Sequence, residues 1–160
     1  MNNTNENLIY YVNKALDELY FFDKYLIENN THERSVVFSF GYYLKRLLAS
    51  DKLFEHYNVD IEYNTDSLSE NNYKAIIYGN KKYRIIPDVI IHKRGSNNFN
   101  LLVIEFKKSN NNESKNDFNK LKVLTCKKSD YDYKLGLFIK LGKTRNDVKL
   151  IKFVDGKSIK

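Results

Sequence analysis

Leu8, Val12, Leu16, Leu19, Phe22 and Leu26 recur at intervals of three and four, which predicts an amphipathic helix over residues 6–28, ended by Asn29-Asn30. Thr31 stands where an N-cap belongs, ahead of a second helix whose inward stripe is Val37, Phe40, Leu44 and Leu47. Stepping that stripe back by four reaches Glu33, a carboxylate at the tip of the buried face. The period then falls to two. Val59-Asp60-Ile61-Glu62-Tyr63 alternates as a half-buried strand does, residues 64–72 are polar and read as a loop, and residues 73–78 and 83–92 read as strands around a Gly79-Asn80 turn. After a break at residues 94–98 comes a strand over 101–107. A polar stretch at 109–116 leads into a helix over 117–128 through Phe118, Leu121 and Leu124 or Thr125, and the last two strands are 134–141 and 148–154.

Helices on either side of a strand-rich centre predict an α/β fold. Its mixed central sheet is flanked by helices, with one crossover made by the helix after Lys107 and an edge late in the chain. At 160 residues the chain suits one domain over 1–160, with an N-terminal helix in 1–30 and a core in 31–157.

Composition adds a partner class. A net charge of +7 and a pI near 9.3 favour a polyanion, nucleic acid first. The 13 Tyr and 10 Phe need not be base-stacking platforms, because Lys, Asn, Ile, Tyr and Phe all abound here as A/T-rich codons would dictate. Cys126 is the single cysteine, and the first residues lack a secretory pattern, so a cytoplasmic location is expected. No run approaches eighteen apolar residues, so no membrane-spanning helix is expected. His32 and His56 have no partner at zinc spacing.

The chemistry concentrates on two strands. In residues 84–92, Ile86, Asp88, Ile90 and His92 share one face; in 101–107, Leu101, Val103, Glu105 and Lys107 share one. If the intervening turn centres on Ser96-Asn97, antiparallel pairing sets 92 opposite 101 and therefore 88 opposite 105. Two carboxylates opposed in this way repel. A cation between them reverses the sign, and Asp88, Glu105 and the backbone carbonyl of Phe106 are hard oxygen ligands of the kind Mg²⁺ prefers. Lys107 lies about 6.6 Å beyond Glu105 on the same face, within reach of a phosphate oxygen or an attacking water.

Pro87-Asp88 followed by Glu105-Phe106-Lys107 on adjacent strands resembles the core of the PD-(D/E)XK nuclease superfamily, the restriction-endonuclease-like fold. The order of elements is similar over residues 31–141. Residues 86–109, with Glu62-Tyr63-Asn64, are similar to small stand-alone bacterial members. The resemblance implies a Mg²⁺-dependent nuclease, with Mn²⁺ as substitute, acting on DNA or, alternatively, RNA. Asp88 and Glu105 would be metal ligands, Lys107 the phosphate- and water-positioning base, and Glu33 a helper from the upstream helix. Lys120, on the helix placed after the Glu-x-Lys strand, would face the phosphate backbone, joined by Lys108 and His92. A homodimer fits a double-strand cutter.

Rival readings stand beside these. Glu33 also suits a first helical turn by complementing the helix dipole, Glu62 is an exposed acid or a second candidate to complete the metal site, and His92 is a surface histidine or a phosphate contact. The competing function is a catalytically inactive nucleic-acid-binding or assembly module of the same fold.

Overall fold

The computed structural model describes residues 3–29, 31–66, 69, 72–108 and 114–159. Parts of the loops expected at 64–72 and 109–116, and Asn30, lie outside the described residues.

The first predicted helix is two: α1 (Asn3–Phe22) and α2 (Lys24–Glu28), separated at Asp23. The Asp23 carboxylate accepts from the Tyr43 hydroxyl at 2.7 Å, which fixes the bend, and Phe22 is exposed rather than inward. Thr31 does not cap the next helix. Its hydroxyl donates back to the Leu26 carbonyl at 2.9 Å, and α3 (Glu33–Leu48) starts after His32. The inward residues of α3 are Val36, Val37, Phe40, Gly41, Leu44 and Leu48, close to the expected stripe.

Six strands form one mixed sheet in the order β1 (Asn58–Ile61), β4 (Val89–His92), β5 (Leu102–Lys107), β6 (Leu135–Lys140), β7 (Lys149–Val154) and β8 (Lys157–Ile159). β5 and β6 are parallel and joined through α4 (Lys115–Thr125), the expected crossover, while the other neighbours pair antiparallel. The strand expected over 83–92 is divided at residues 85–88. Its first part joins a separate hairpin of β2 (Ala75–Tyr78) and β3 (Lys81–Arg84), which turns at Gly79 with φ +61°. Pro87 lacks a backbone donor, and it marks the break before β4 enters the sheet.

The alternation of each strand builds a core on each face. Val89, Ile91, Leu102, Ile104 and Phe106 pack under α1 and α3. Ile90, Val103, Phe138 and Phe153 pack with Leu121 and Leu124 of α4. No helix among the described residues is long and apolar enough to cross a membrane.

α4 approaches the sheet closely because β6 offers Gly136 beneath it. A Cβ there would lie 2.8 Å from Thr125 Cγ2, 3.2 Å from Phe153 Cβ and 3.3 Å from Leu121 Cδ2. Thr125 cannot simply turn aside, since its hydroxyl donates to the Leu121 carbonyl at 2.8 Å and accepts from the Gly156 N–H at 3.2 Å. Gly136→Ala is therefore expected to lower the stability by about 1–3 kcal/mol, read as a lower urea midpoint at unchanged slope; an unchanged midpoint would mean that α4 yields freely.

Candidate active site

Val89 pairs with Ile104, Ile90 with Val103 and Ile91 with Leu102, so extending this antiparallel ladder by one residue sets Asp88 opposite Glu105. That is the register expected from the sequence. Both acids lie on the α4 side of the sheet: Asp88 is in phase with Ile90, and Glu105 with Val103. Asp88 sits just before β4, where its Oδ2 accepts from the Phe106 N–H at 2.6 Å. The Phe106 carbonyl points from the same edge of β5, since an extended residue turns its N–H and C=O to one neighbour.

Glu105 is buried, and its environment is unbalanced. Its Oε2 accepts from Lys120 Nζ at 2.7 Å, whereas Oε1 is buried without a hydrogen-bond partner. Burial, with Asp88 adding to it, holds the Glu105 carboxyl well above the ordinary carboxylate range. Burial likewise pushes Asp88 up to about 6, opposed by the Phe106 N–H and Lys120 and reinforced by Glu33 and Asp117.

Lys107 projects to the same side and contacts an acid that the sequence reading left out of the site. Asp117, buried in the first turn of α4, receives Lys107 Nζ at 3.1 Å and Lys120 Nζ at 3.2 Å. The signal was present, because Asp117, Leu121 and Leu124 form the inward stripe of α4, and stepping back from Leu121 by four gives the acid. Burial alone would lower the Lys107 pKa, but Asp117, with Glu33 and Asp88 behind it, outweighs that and raises it. Lys107 is thus held as an ammonium by Asp117.

The remaining candidates separate. Glu33 comes to the site: its Oε2 accepts from the Lys108 N–H at 3.2 Å, and its charge is felt at Asp88 and Lys107. Lys120 also comes, but its ammonium is bound to Glu105 and Asp117. Lys108 lines a different small cleft with Leu26, Val36 and Gly142. His92 is not a surface residue. It is 3 % exposed, its Nε2 lies 2.9 Å from Asp60 Oδ2, its ring packs on Tyr63, and Arg94 also binds Asp60. Four residues of strand, about 13 Å, separate it from Asp88. Glu62 pairs with Arg34 at 2.7 Å, although its backbone N–H donates to the Asp88 carbonyl at 3.0 Å.

Four carboxylates (Asp88, Glu105, Asp117, Glu33) thus face two ammoniums (Lys107, Lys120), leaving two negative charges when all are ionised. The oxygens available to a hard cation are those of Asp88, the unpartnered Glu105 Oε1 and the Phe106 carbonyl. Among the described residues no group of three or more His, Cys, Asp or Glu is arranged to hold a metal. Two carboxylates nonetheless suit Mg²⁺, which keeps several waters and completes its shell with substrate phosphate.

No protein-family model matches the chain, and no curated protein matches it. A solved structure titled "Crystal structure of SSO0001" is similar at 15 % identity over 91 % of this chain and 76 % of that one, with a TM-score of 0.37. A likeness of that degree carries no argument about fold or function.

The burial of Asp88 sets a pH dependence. Asp88 ionises near 3.8 when unfolded and near 6 in the fold, so between those values the folded protein holds a proton that the unfolded chain has released. Without divalent metal, stability therefore falls as pH rises from about 4 to about 6 and stays lowered above, by an amount of the order of 3 kcal/mol. Asp88→Asn is expected to flatten that part of the profile and to raise the thermal midpoint at pH 7.5 by several degrees. A midpoint that stays level or drops in the variant would mean that Asp88 is fully compensated by its neighbours.

Proposed function

We propose that the chain is a metal-dependent nuclease of restriction-endonuclease-like architecture, hydrolysing phosphodiester bonds of DNA. The observation that carries this is the facing of Asp88 and Glu105 across β4 and β5, with the Lys107 ammonium two residues beyond Glu105 on the same face. In support, a helix bearing Glu33 precedes three antiparallel strands (β1, β4, β5), and α4 and the parallel β6 follow the Glu-x-Lys strand. That is the order of elements on which the PD-(D/E)XK resemblance rests.

Mg²⁺, or Mn²⁺ in its place, held by Asp88, Glu105 Oε1 and the Phe106 carbonyl would supply the Lewis acidity that activates water and offsets phosphate charge. The chain's own groups do the rest. The Phe106 N–H fixes the Asp88 carboxylate, and Asp117 keeps Lys107 charged, so a fixed positive group faces the place where negative charge grows on the phosphoryl oxygens. Glu33, anchored by the Lys108 N–H, adds negative charge beside the cation site and an acceptor for a water.

One observation favours the non-catalytic alternative. The Lys120 ammonium already holds one oxygen of Glu105, as a permanent positive charge would in a binding module that has no use for a metal.

Incubation with DNA and Mg²⁺ or Mn²⁺ separates the two. The wild type is expected to cleave, with EDTA abolishing the activity, and Asp88→Ala and Lys107→Ala are each expected to lose about 10²–10³-fold in rate. Cleavage that persists in both variants would refute the assignment, and metal-independent binding without cleavage would establish the module.

A further inference from the structure

The β2–β3 hairpin stands apart from the six-stranded sheet yet is rigidly tied to the body. The Tyr131 hydroxyl accepts from the Ala75 N–H at 2.8 Å and donates to the Ala75 carbonyl at 3.0 Å, and the Ile85 N–H closes the neck onto the Lys74 carbonyl at 3.0 Å. Lys74 is 1 % exposed, its ammonium 5.0–5.9 Å from the ring centres of Tyr63, Tyr131 and Tyr133. The arm is therefore positioned before any ligand arrives. All four residues of β3, Lys81-Lys82-Tyr83-Arg84, are exposed.

Between this arm and the first turns of α4 lies a cleft of about 500 Å³. Ile76 and Ile85 form its apolar floor, Tyr83 and Arg84 one wall, and Lys115 and Lys120 the other. Among the described residues no carboxylate lines it. Lys120, in the wall of the cleft, also binds Glu105, which places the paired acids behind that wall.

We propose that this cleft binds a single strand of nucleic acid, with phosphates on Arg84 and Lys115 and a base stacked on Tyr83, and delivers it to the acid pair. The inference rests on the nuclease reading for the identity of the polyanion. Its volume is that of a pocket enclosing one small-molecule-sized group, which a nucleotide is. A single strand needs less room than a duplex, whose major groove alone is about 12 Å wide. Cations along the backbone with an aromatic face for a base are the means by which single strands are held without sequence preference.

The test is fluorescence anisotropy in EDTA, which prevents cleavage, using a labelled oligothymidine, the matching oligouridine and a duplex over a salt series. The wild type should bind both single strands more tightly than the duplex. Arg84→Gln with Lys115→Gln should reduce the salt slope for single strands by about 1.4, two phosphate contacts at about 0.7 each. Tyr83→Ala should weaken binding roughly 5- to 150-fold, and Tyr83→Phe should restore it. All variants should keep the wild-type thermal midpoint, as exposed positions allow. Equal binding by wild type and variants, or a duplex bound as tightly as the strand, would overturn the cleft. If metal-dependent cleavage persists alongside either result, the nuclease reading survives without it. If the variants weaken as expected and the wild type never cleaves, the cleft stands and the nuclease reading falls.

Discussion

The repulsion between Asp88 and Glu105 is the constraint to which the rest of the molecule answers. Burial raises the pKa of both acids, with Asp88 adding to it at Glu105 and Glu33 and Asp117 adding to it at Asp88, and the fold must hold them there without letting either swing to solvent. It does so with fixed groups: a backbone N–H on Asp88, an ammonium on one oxygen of Glu105, and Asp117 beneath to hold that ammonium and a second one. α4 carries both Asp117 and Lys120, so its close seating over Gly136 is an electrostatic requirement as well as a packing one.

The two faces of the sheet divide the work. The α1–α3 face is an aliphatic and aromatic core, with Phe40 set edge-on to Phe106 at 4.9 Å, and it fixes where β5 lies. The α4 face is apolar only at its centre, around Val103, Phe138 and Leu121, and turns to charged groups toward the carboxyl end of β5. One residue of β5 connects the two: the Phe106 ring belongs to the first face, while its backbone N–H holds the acid of the second.

The acid pairing was legible in the sequence because it depends on local arithmetic: strand alternation sets the face, and a short turn between two strands sets the register. Glu33 was legible for a similar reason, through the helical stripe of α3. Asp117 obeyed the same rule on α4 and was passed over in favour of its neighbour Phe118. The Asp155-Gly156 turn into β8 is also a recognised hairpin signal, and both residues have positive φ. His92 was misplaced for a different reason. Its partner Asp60 lies 32 residues away, on the neighbouring strand β1, and alternation cannot tell an inward histidine with a carboxylate from one near a strand end. Nor could alternation reveal the departure of β2–β3 from the sheet, since Tyr83 and Ile85 continue the period of β4 across Pro87. The tyrosine cage around Lys74 assembles three distant segments, and only tertiary structure brings them together.

The charge at the site argues for which cation it suits. An ammonium with three donors satisfies only one oxygen of Glu105, leaving Oε1 without a partner and, when all four acids are ionised, an excess of two negative charges. A monovalent ion would cancel half of that excess, while a divalent ion, if Asp88 and Glu105 held one, would cancel it. Lys107 is spared this role, because Asp117 holds its charge two residues farther along the strand. The acid pair and the Lys107 ammonium are thus kept apart along one face, a separation that follows from the two-residue period of β5.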